Sequence, residues 1–519
     1  MITFALAVAL LSAPAPLQGP ATERPIILDG RFDDWAGVRP VLIDPPDARL
    51  GAIDIGAVKI VDDPGFVHLL VELGRTVNLQ RLDGTLEILF DADGDAATGA
   101  TVEGLKGIDL IVTFSPPDAR NPQRPGMGVG ARRWVDRAWR PISPYALGIA
   151  FAPTAASNRA EIRFGRGLPA DAPLFVGDRI GGKLIHRDAA GAIVDETDSF
   201  AFRFSSRPAP TVPPDPEVDP IRRAPGTALR VMTWNVERGA MFSNPEPFAR
   251  VLRALEPDVI LFQELLEEHR AEQVAGWLAQ HAGEGGSPWH AVVGSGGGQL
   301  RTAVATRHPA QAVPELDRAS WTDERGRRRD VRLAAAEVMI PGAAAATEET
   351  APRLPVLVFS VHLKCCGGAR TEEELTRLEE VQAIRYAYRT VVQGGRFAGV
   401  VLGGDLNLVG SFEPLEELIE GIDIDGTNKA IGVAPKLCGR MHATWSDDGQ
   451  PFTPGQLDFV LYGSAALRQL GGFALDTRDL SPRWLEHHGL DAADTAASDH
   501  WPVVVDLGWR RLSSTSTPR

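Results

Sequence analysis

The chain has 519 residues, more than one hydrophobic core normally serves, so two domains are expected. With 44% hydrophobic and 23% charged residues it reads as a globular chain, neither disordered nor membrane-embedded. The formal net charge of −15 argues against a protein held to nucleic acid by a broad basic surface, but leaves room for an enzyme that engages phosphate through a metal ion and a few arginines.

Residues 1–21, beginning MITFALAVALLSAPAPLQG, have the pattern of a secretory signal peptide, with an apolar core at Ile2–Leu11 and small residues at Ala13–Ala15. No basic residue precedes the apolar run, and Pro16 disfavours cleavage directly after Ala15. A secreted or periplasmic protein is expected. No other run approaches the roughly 20 apolar residues of a membrane span. Residues 22–205 contain short alternating or β-branched runs (VRPVLI, IGAVKIV, FVHLLVEL, LEILFDA, IDLIVTF, AEIRF, SFAFRF) separated by turn signals such as DPPD and DADGD. With no long helical period between them, this pattern predicts an antiparallel β-sandwich. Asp91, Asp93 and Asp95 alternate in one short loop, so their carboxylates can converge on a structural Ca2+; a solvated turn is the other reading.

Residues 206–226, SRPAPTVPPDPEVDPIRRAPG, are too rich in proline for helix or ladder hydrogen bonding and read as an extended linker. From 227 to 510 the pattern changes. Strand-like runs LRVMTWNV, DVILFQE, TAVAT, LAAAEVMI, PVLVFSVHL, GVVLGGDL, LDFVLY and PVVVDL alternate with helical stretches, which predicts sheets covered by helices. In the longest helical stretch, TEEELTRLEEVQAIRYAYRTVVQ, Thr371 with Glu374 fits a capping box, and Leu375, Leu378, Val381, Ile384 and Tyr388 form an apolar stripe. Residues 511–519 form a polar tail. Cys365, Cys366 and Cys438 are too few for a disulfide framework; Cys438 pairs with one of the adjacent two, or all three are buried thiols.

Polar residues recur where the buried strands of 227–510 end: Asn235 and Glu237 in TWNVERG, Glu264 in VILFQEL, His362 in VFSVHLK, Asp405 and Asn407 in VLGGDLNL, Asp458 in QLDFVLY, and Asp499 with His500 in ASDHWPVVV. One such residue is ordinarily a turn former or cap. A whole series drawn from Asp, Glu, Asn and His offers oxygen ligands for a hard divalent cation, Mg2+ or Mn2+, and imidazoles that titrate near neutral pH.

WNV, QE, HL, GDLN, LDFV and SDHWPV, in that order over residues 229–507, resemble the motifs of the endonuclease/exonuclease/phosphatase superfamily. The resemblance implies a four-layered α/β sandwich, two packed β-sheets flanked by helices, preceded here by the all-β sandwich. It further implies Glu264 as principal metal carboxylate, helped by Asn235 and Asp499, with Glu237 near the metal or its water shell. Asp405 and Asn407 would orient or deprotonate the attacking water. His500, oriented by Asp458, would act as base or phosphate-stabilising imidazole, and His362 would stabilise the phosphate or protonate the leaving oxygen. The expected activity is a divalent-metal-dependent phosphoester hydrolase, first a phosphodiesterase of nuclease type, with sphingomyelinase-like or inositol-phosphate phosphatase activity as alternatives. Its substrate would be a nucleic acid, a phospholipid or an inositol phosphate. A catalytically idle binding or scaffold protein would lack a metal carboxylate or histidine, and none is missing. ILDGRFDDWAGV, LEILFDADGDAATG and GIDLIV resemble family-9 carbohydrate-binding modules, which implies a glycan or surface contact for a sandwich that anchors or targets the hydrolase. A monomer is expected.

Outside these motifs, the arginines of ERGRRR (324–329) either grip a polyanion or sit in a solvated loop. GSGGGQLR (294–301) lacks the ending of a phosphate-binding P-loop and reads as a connection between strands. Arg301 or Arg307 would be a phosphate or structural contact, Trp445 packing or rim, and His442, His487 and His488 surface residues.

Overall fold

The computed structural model describes residues 25–118, 126–208, 215–283, 288–342 and 352–510. The leader expected at 1–21 and the tail at 511–519 lie outside the described residues, as does the middle of the linker. Among the described residues no helix is long and apolar enough to cross a membrane.

Two antiparallel sheets face each other in the N-terminal half. One runs in the order Leu42–Ile43, Ala57–Asp62, Phe66–Val77, Ser157–Gly165, Ala150–Ala152. The other runs Ile193–Glu196, Arg179–Arg187, Thr85–Asp91, Leu110–Phe114, Val129–Val135, Ala138–Ile142, with Phe200–Arg203 also on the second strand. Alternation places Val58, Ile60, Leu86, Ile88 and Phe90 inward, where they meet Phe114 and Phe164 in a fully buried core. The run VRPVLI yields only a two-residue strand, Leu42–Ile43, because Pro40 has no N–H for the ladder.

The C-terminal half has two six-stranded sheets. The first runs His290–Val293, Leu300–Thr306, Val259–Leu266, Leu229–Asn235, Val503–Trp509, Leu467–Ala474. The second runs Ala310–Ala312, Leu333–Pro341, Arg353–His362, Gly399–Asp405, Asp458–Tyr462, Ala430–Ile431. Val231, Leu261, Val358, Val401 and Val505 fill the space between them. Helices Pro245–Leu255 and Ala271–His281 cover the outer face of the first sheet through Phe248, Val274 and Trp277. Helix Glu372–Val392 covers the second through Val381, Ile384 and Tyr388, which completes four layers. Thr371 stands at the N-cap position of this helix, but the expected capping box is absent: its hydroxyl donates to Gly368 O at 3.0 Å. Glu374 turns inward, accepting from Arg377 Nε at 2.8 Å and from Ser411 N at 2.7 Å. The buried face therefore opens on this ion pair, and Leu375, expected in the apolar stripe, is 57% exposed.

The two halves are joined by backbone as well as side chains. Leu28 N donates to Arg440 O at 3.0 Å and His442 N to Leu28 O at 2.8 Å. Val129 N donates to Pro451 O at 2.7 Å and Ala156 N to Gly410 O at 2.7 Å. Leu28, Ala150 and Ala152 share one apolar cluster with Met441, Ala443 and Trp501. A Cβ at Gly128 would lie 2.1 Å from Pro451 O, so only glycine permits this approach. On separation these amides would bond to water instead, so each hydrogen bond across the seam contributes only about 0.5–1.5 kcal/mol.

Candidate active site

Strand pairing gathers the polar residues. Leu229–Asn235 and Val259–Leu266 run parallel with Asn235 opposite Gln263, so both chains leave the sheet at the same end. Glu264 follows at a register irregularity between Phe262 and Leu265 and has φ 59°, a bulge that turns its carboxylate off the ladder. In the second sheet His362 pairs with Asp405 and Asp405 with Asp458, setting three functional side chains in one row across neighbouring strands. His500 lies just before Val503–Trp509, and its backbone carbonyl accepts from Trp234 Nε1 at 2.9 Å. Glu237 and Asn407 also have positive φ, 39° and 49°. Strained non-glycine residues of this kind concentrate at functional sites.

Six of the nine residues expected from the sequence, Glu264, His362, Asp405, Asn407, Asp499 and His500, line one cavity, and Asn235, Asp458 and Glu237 adjoin them through hydrogen bonds without lining it. Asn235 Nδ2 lies 3.3 Å from Glu264 Oε1 and 3.1 Å from Asp405 Oδ2. Glu264 Oε2 accepts from Arg238 N at 3.2 Å, and Asn235 Oδ1 from Glu237 N at 3.1 Å. Asp405 Oδ1 accepts from Asn407 N at 2.9 Å, while Asn407 Nδ2 donates to Leu363 O at 3.2 Å. His500 Nδ1 is 2.7 Å from Asp458 Oδ2, and its Nε2 faces Asp405 Oδ2 at 3.7 Å. His362 Nε2 stands 3.6 Å from the same Asp405 oxygen and 3.8 Å from Glu264 Oε1. Asp499 Oδ2 accepts from Trp445 Nε1 at 2.9 Å.

The charges of the site are set by burial and by one another. Burial opposes a charge on His500, but Asp458 and Asp405 outweigh it and raise its pKa to about 10. Burial raises Asp405 to about 7, against the pull of His500. His362 is held well below the usual imidazole range by burial, then by the charges of Arg332 and His500. Its Nδ1 has no hydrogen-bond partner among the described residues. Glu237 is raised by burial and by the charges of Asp499 and Glu264.

Glu264, Asp499, Glu237 and the Asn235 amide offer hard oxygen donors, and the charges of Asp499 and Glu264, which add to burial in raising Glu237, are what a divalent cation would relieve. Oxygen donors of this kind suit a hard divalent cation by their chemistry, although Glu237, Glu264 and Asp499 do not bring their ligand atoms within 4.8 Å of one another. In the sandwich, Asp91 and Asp93 meet Asp109, not Asp95, with ligand atoms within 4.8 Å of one another. Asp95 Oδ1 instead accepts from Ala97 N at 2.9 Å and closes the turn.

Several supports have no motif to mark them. Thr444 Oγ1 donates to Asp458 Oδ2 at 2.7 Å and accepts from Asp458 N at 2.9 Å, locking the carboxylate that faces His500. The cavity, of about 270 Å³, is lined by Glu264, His362, Asp405, Asn407, Asp499 and His500 on one side and by Asn78, Gln80, Arg81 and Thr154 of the sandwich on the other. The sandwich expected to anchor or target the hydrolase thus also forms a wall of its pocket. His442, expected at the surface, is half-buried in the seam between the halves. The ERGRRR arginines lie on an exposed hairpin, where Arg327 and Arg329 pair with Asp323.

The family model described as "Endonuclease/Exonuclease/phosphatase family" matches residues 232–500. No curated protein matches the chain. Among solved structures, the human nocturnin catalytic domain with bound sulfate is 18% identical, covering 54% of this chain and 94% of its own, with a TM-score of 0.34. The 3'-5' exonuclease NExo of Neisseria meningitidis is 16% identical, covering 54% of this chain and 100% of its own, with a TM-score of 0.34. D. rerio TDP2 complexed with single-strand DNA product is 15% identical, covering 54% of this chain and 98% of its own, with a TM-score of 0.32.

Proposed function

We propose, from the premise that the chain belongs to the endonuclease/exonuclease/phosphatase family and so carries a phosphoester hydrolase domain, that this domain is a divalent-metal-dependent phosphodiesterase of nuclease type. The observation that carries the reading is the row His362–Asp405–Asp458, with His500 clamped against Asp458 at 2.7 Å and His362, Asp405 and His500 lining one pocket.

Glu264, Asn235, Asp499 and Glu237 would hold the metal. A divalent cation held there would supply Lewis-acid neutralisation of phosphate charge and stabilisation of the leaving alkoxide. The protein's own groups do the rest. Asp458 accepts from His500 Nδ1 and so directs Nε2 into the pocket. Kept protonated by Asp458 and Asp405, His500 presents an N–H to the charge that develops on phosphate. Asp405, raised to about 7, is matched to take a proton from the attacking water at neutral pH. Asn407 fixes Oδ1 of that carboxylate through its N–H, and Oδ2, which accepts from Asn235 Nδ2, is the oxygen that both imidazoles face. His362, held uncharged, supplies a second imidazole facing the same oxygen of Asp405.

The test is hydrolysis of bis(p-nitrophenyl) phosphate with Mg2+ or Mn2+, followed by DNA, RNA, sphingomyelin and inositol phosphates under the same conditions. Chelator should abolish turnover, and Asp405→Asn and His500→Gln should each lower kcat by roughly 10²-fold or more. Turnover that survives chelation, or survives both substitutions, contradicts the reading.

A further inference from the structure

The wall contributed by the sandwich carries one feature that hydrolysis alone does not use. Arg81 ends a single helical turn, Leu79–Arg81, whose N-cap Asn78 accepts from Gln80 N at 2.9 Å. That turn is fastened to the hydrolase half on both sides. Asn78 Nδ2 donates to Val409 O at 2.7 Å, and Gln80 Oε1 accepts from Thr453 N at 2.9 Å. The Arg81 guanidinium stands 5.0 Å above the centre of the Phe452 ring, and its stem runs along Gly368, where an added Cβ would come within 3.2 Å of it. It is a half-buried cation held in place on three sides.

Among the described residues Arg81 has no hydrogen-bond acceptor and no carboxylate within ion-pair distance. Burial pulls its pKa down, and Cys366 and then Glu373 restore only part of this. A guanidinium partly removed from water without an anion is costly, and its planar fork matches phosphate oxygens two at a time. It opens on the same cavity as Glu264, His362 and Asp405. At about 270 Å³ that cavity is near the lower limit of ligand pockets, so it takes a small phosphorylated group or one chain end.

We propose that Arg81 of the sandwich is a second anion-binding group of the active-site pocket, and that the enzyme prefers phosphoesters carrying a further phosphate close to the scissile one. The proposal rests on the hydrolase reading for the position of the scissile phosphate. The shared chemistry is a second phosphate, supplied either by a phosphorylated oligonucleotide end or by a polyphosphorylated small molecule such as an inositol bisphosphate.

The experiment uses the full chain and its Arg81→Ala, Arg81→Lys and Arg140→Ala variants, Arg140 being exposed on the same sandwich. The readout is the ratio of kcat/KM for a substrate with a second phosphate to that for its counterpart without one. Two pairs are compared: a dinucleotide with and without a 5'-terminal phosphate, and inositol bisphosphate against monophosphate. In Arg81→Ala the ratio should fall roughly 10–100-fold in at least one pair, the scale of a charge-assisted contact. The affected pair identifies the source. Arg81→Lys should recover part of it, and Arg140→Ala should leave the ratio alone. Calorimetric binding of inorganic pyrophosphate, which needs no turnover, should weaken by a similar factor in Arg81→Ala, and thermal melting confirms that the variant is folded. An unchanged ratio, or an equal loss of kcat/KM for both members of each pair, overturns the proposal, as does pyrophosphate affinity indifferent to Arg81. Pyrophosphate binding that depends on Arg81 in a chain that cleaves nothing would sink the hydrolase reading and leave the anion subsite standing.

Discussion

His500 shows how one side chain's behaviour is fixed by what touches it. Asp458 Oδ2 receives the imidazole Nδ1 at 2.7 Å and is itself held by Thr444 Oγ1 at 2.7 Å, so the carboxylate cannot swing away. Asp458→Asn keeps the shape but removes the charge that keeps His500 protonated. It is expected to lower kcat by about 10²–10⁴-fold with little change in melting temperature. Steady-state kinetics beside a thermal melt checks this, and a variant with unimpaired kcat refutes the role given to the pair. At this scale the sequence was informative: GDLN, LDFV and SDHWPV named the residues that the fold brings together. Thr444 and Arg81 were not legible, because a threonine in a loop or an arginine after a strand carries no spacing signal. Their significance is a contact with a residue remote in sequence.

The strands that deliver these residues depend on close backbone approach. Gly404 has φ 150°, and a Cβ there would lie 1.9 Å from Val361 O on the neighbouring strand. Gly404→Ala must therefore push Arg353–His362 away from Gly399–Asp405, at the point where His362 and Asp405 pair. We expect a loss of about 2–4 kcal/mol in stability, read in denaturant melts, and nearly complete loss of activity. A variant with wild-type stability would show that the ladder gives way easily. Buried parallel strands such as GVVLGGD announced themselves as apolar runs, since both faces are covered. The strands Val129–Val135 and Arg179–Arg187 did not, because arginine and lysine on their outer faces interrupt the alternation. The start of helix Glu372–Val392 misled for a different reason. Glu374 and Arg377 neutralise each other inside the protein, so charged residues occupy positions where periodicity looks for leucine.

At the scale of the whole molecule, the seam between the halves contains a titratable group. His442, beside Leu28 and half-buried, is lowered to about 4 by burial and by the charge of Arg31. An unfolded or undocked chain would bind a proton at this histidine near pH 6.5, whereas the docked form resists until about pH 4. The more protonated state below pH 6.5 is therefore the separated one, so His442 makes stability rise with pH between about 4 and 6.5 and fall on acidification through that window. The melting temperature of wild type should drop more steeply from pH 7 to pH 4.5 than that of His442→Gln; parallel slopes would exclude the seam histidine as a cause. Nothing in the sequence marked this seam. Its bonds join segments from opposite ends of the chain, and neither hydropathy nor spacing records which surfaces meet.

One result of that junction concerns how such a protein can change its diet. The hydrolytic groups and the loop bearing Asn78, Gln80 and Arg81 share a cavity, yet the family model spans only residues 232–500. Substitutions in the sandwich can therefore redraw what is admitted while every group that attacks phosphorus stays untouched. Two chains alike throughout 232–500 could part company over substrate on the strength of a few residues that lie outside it.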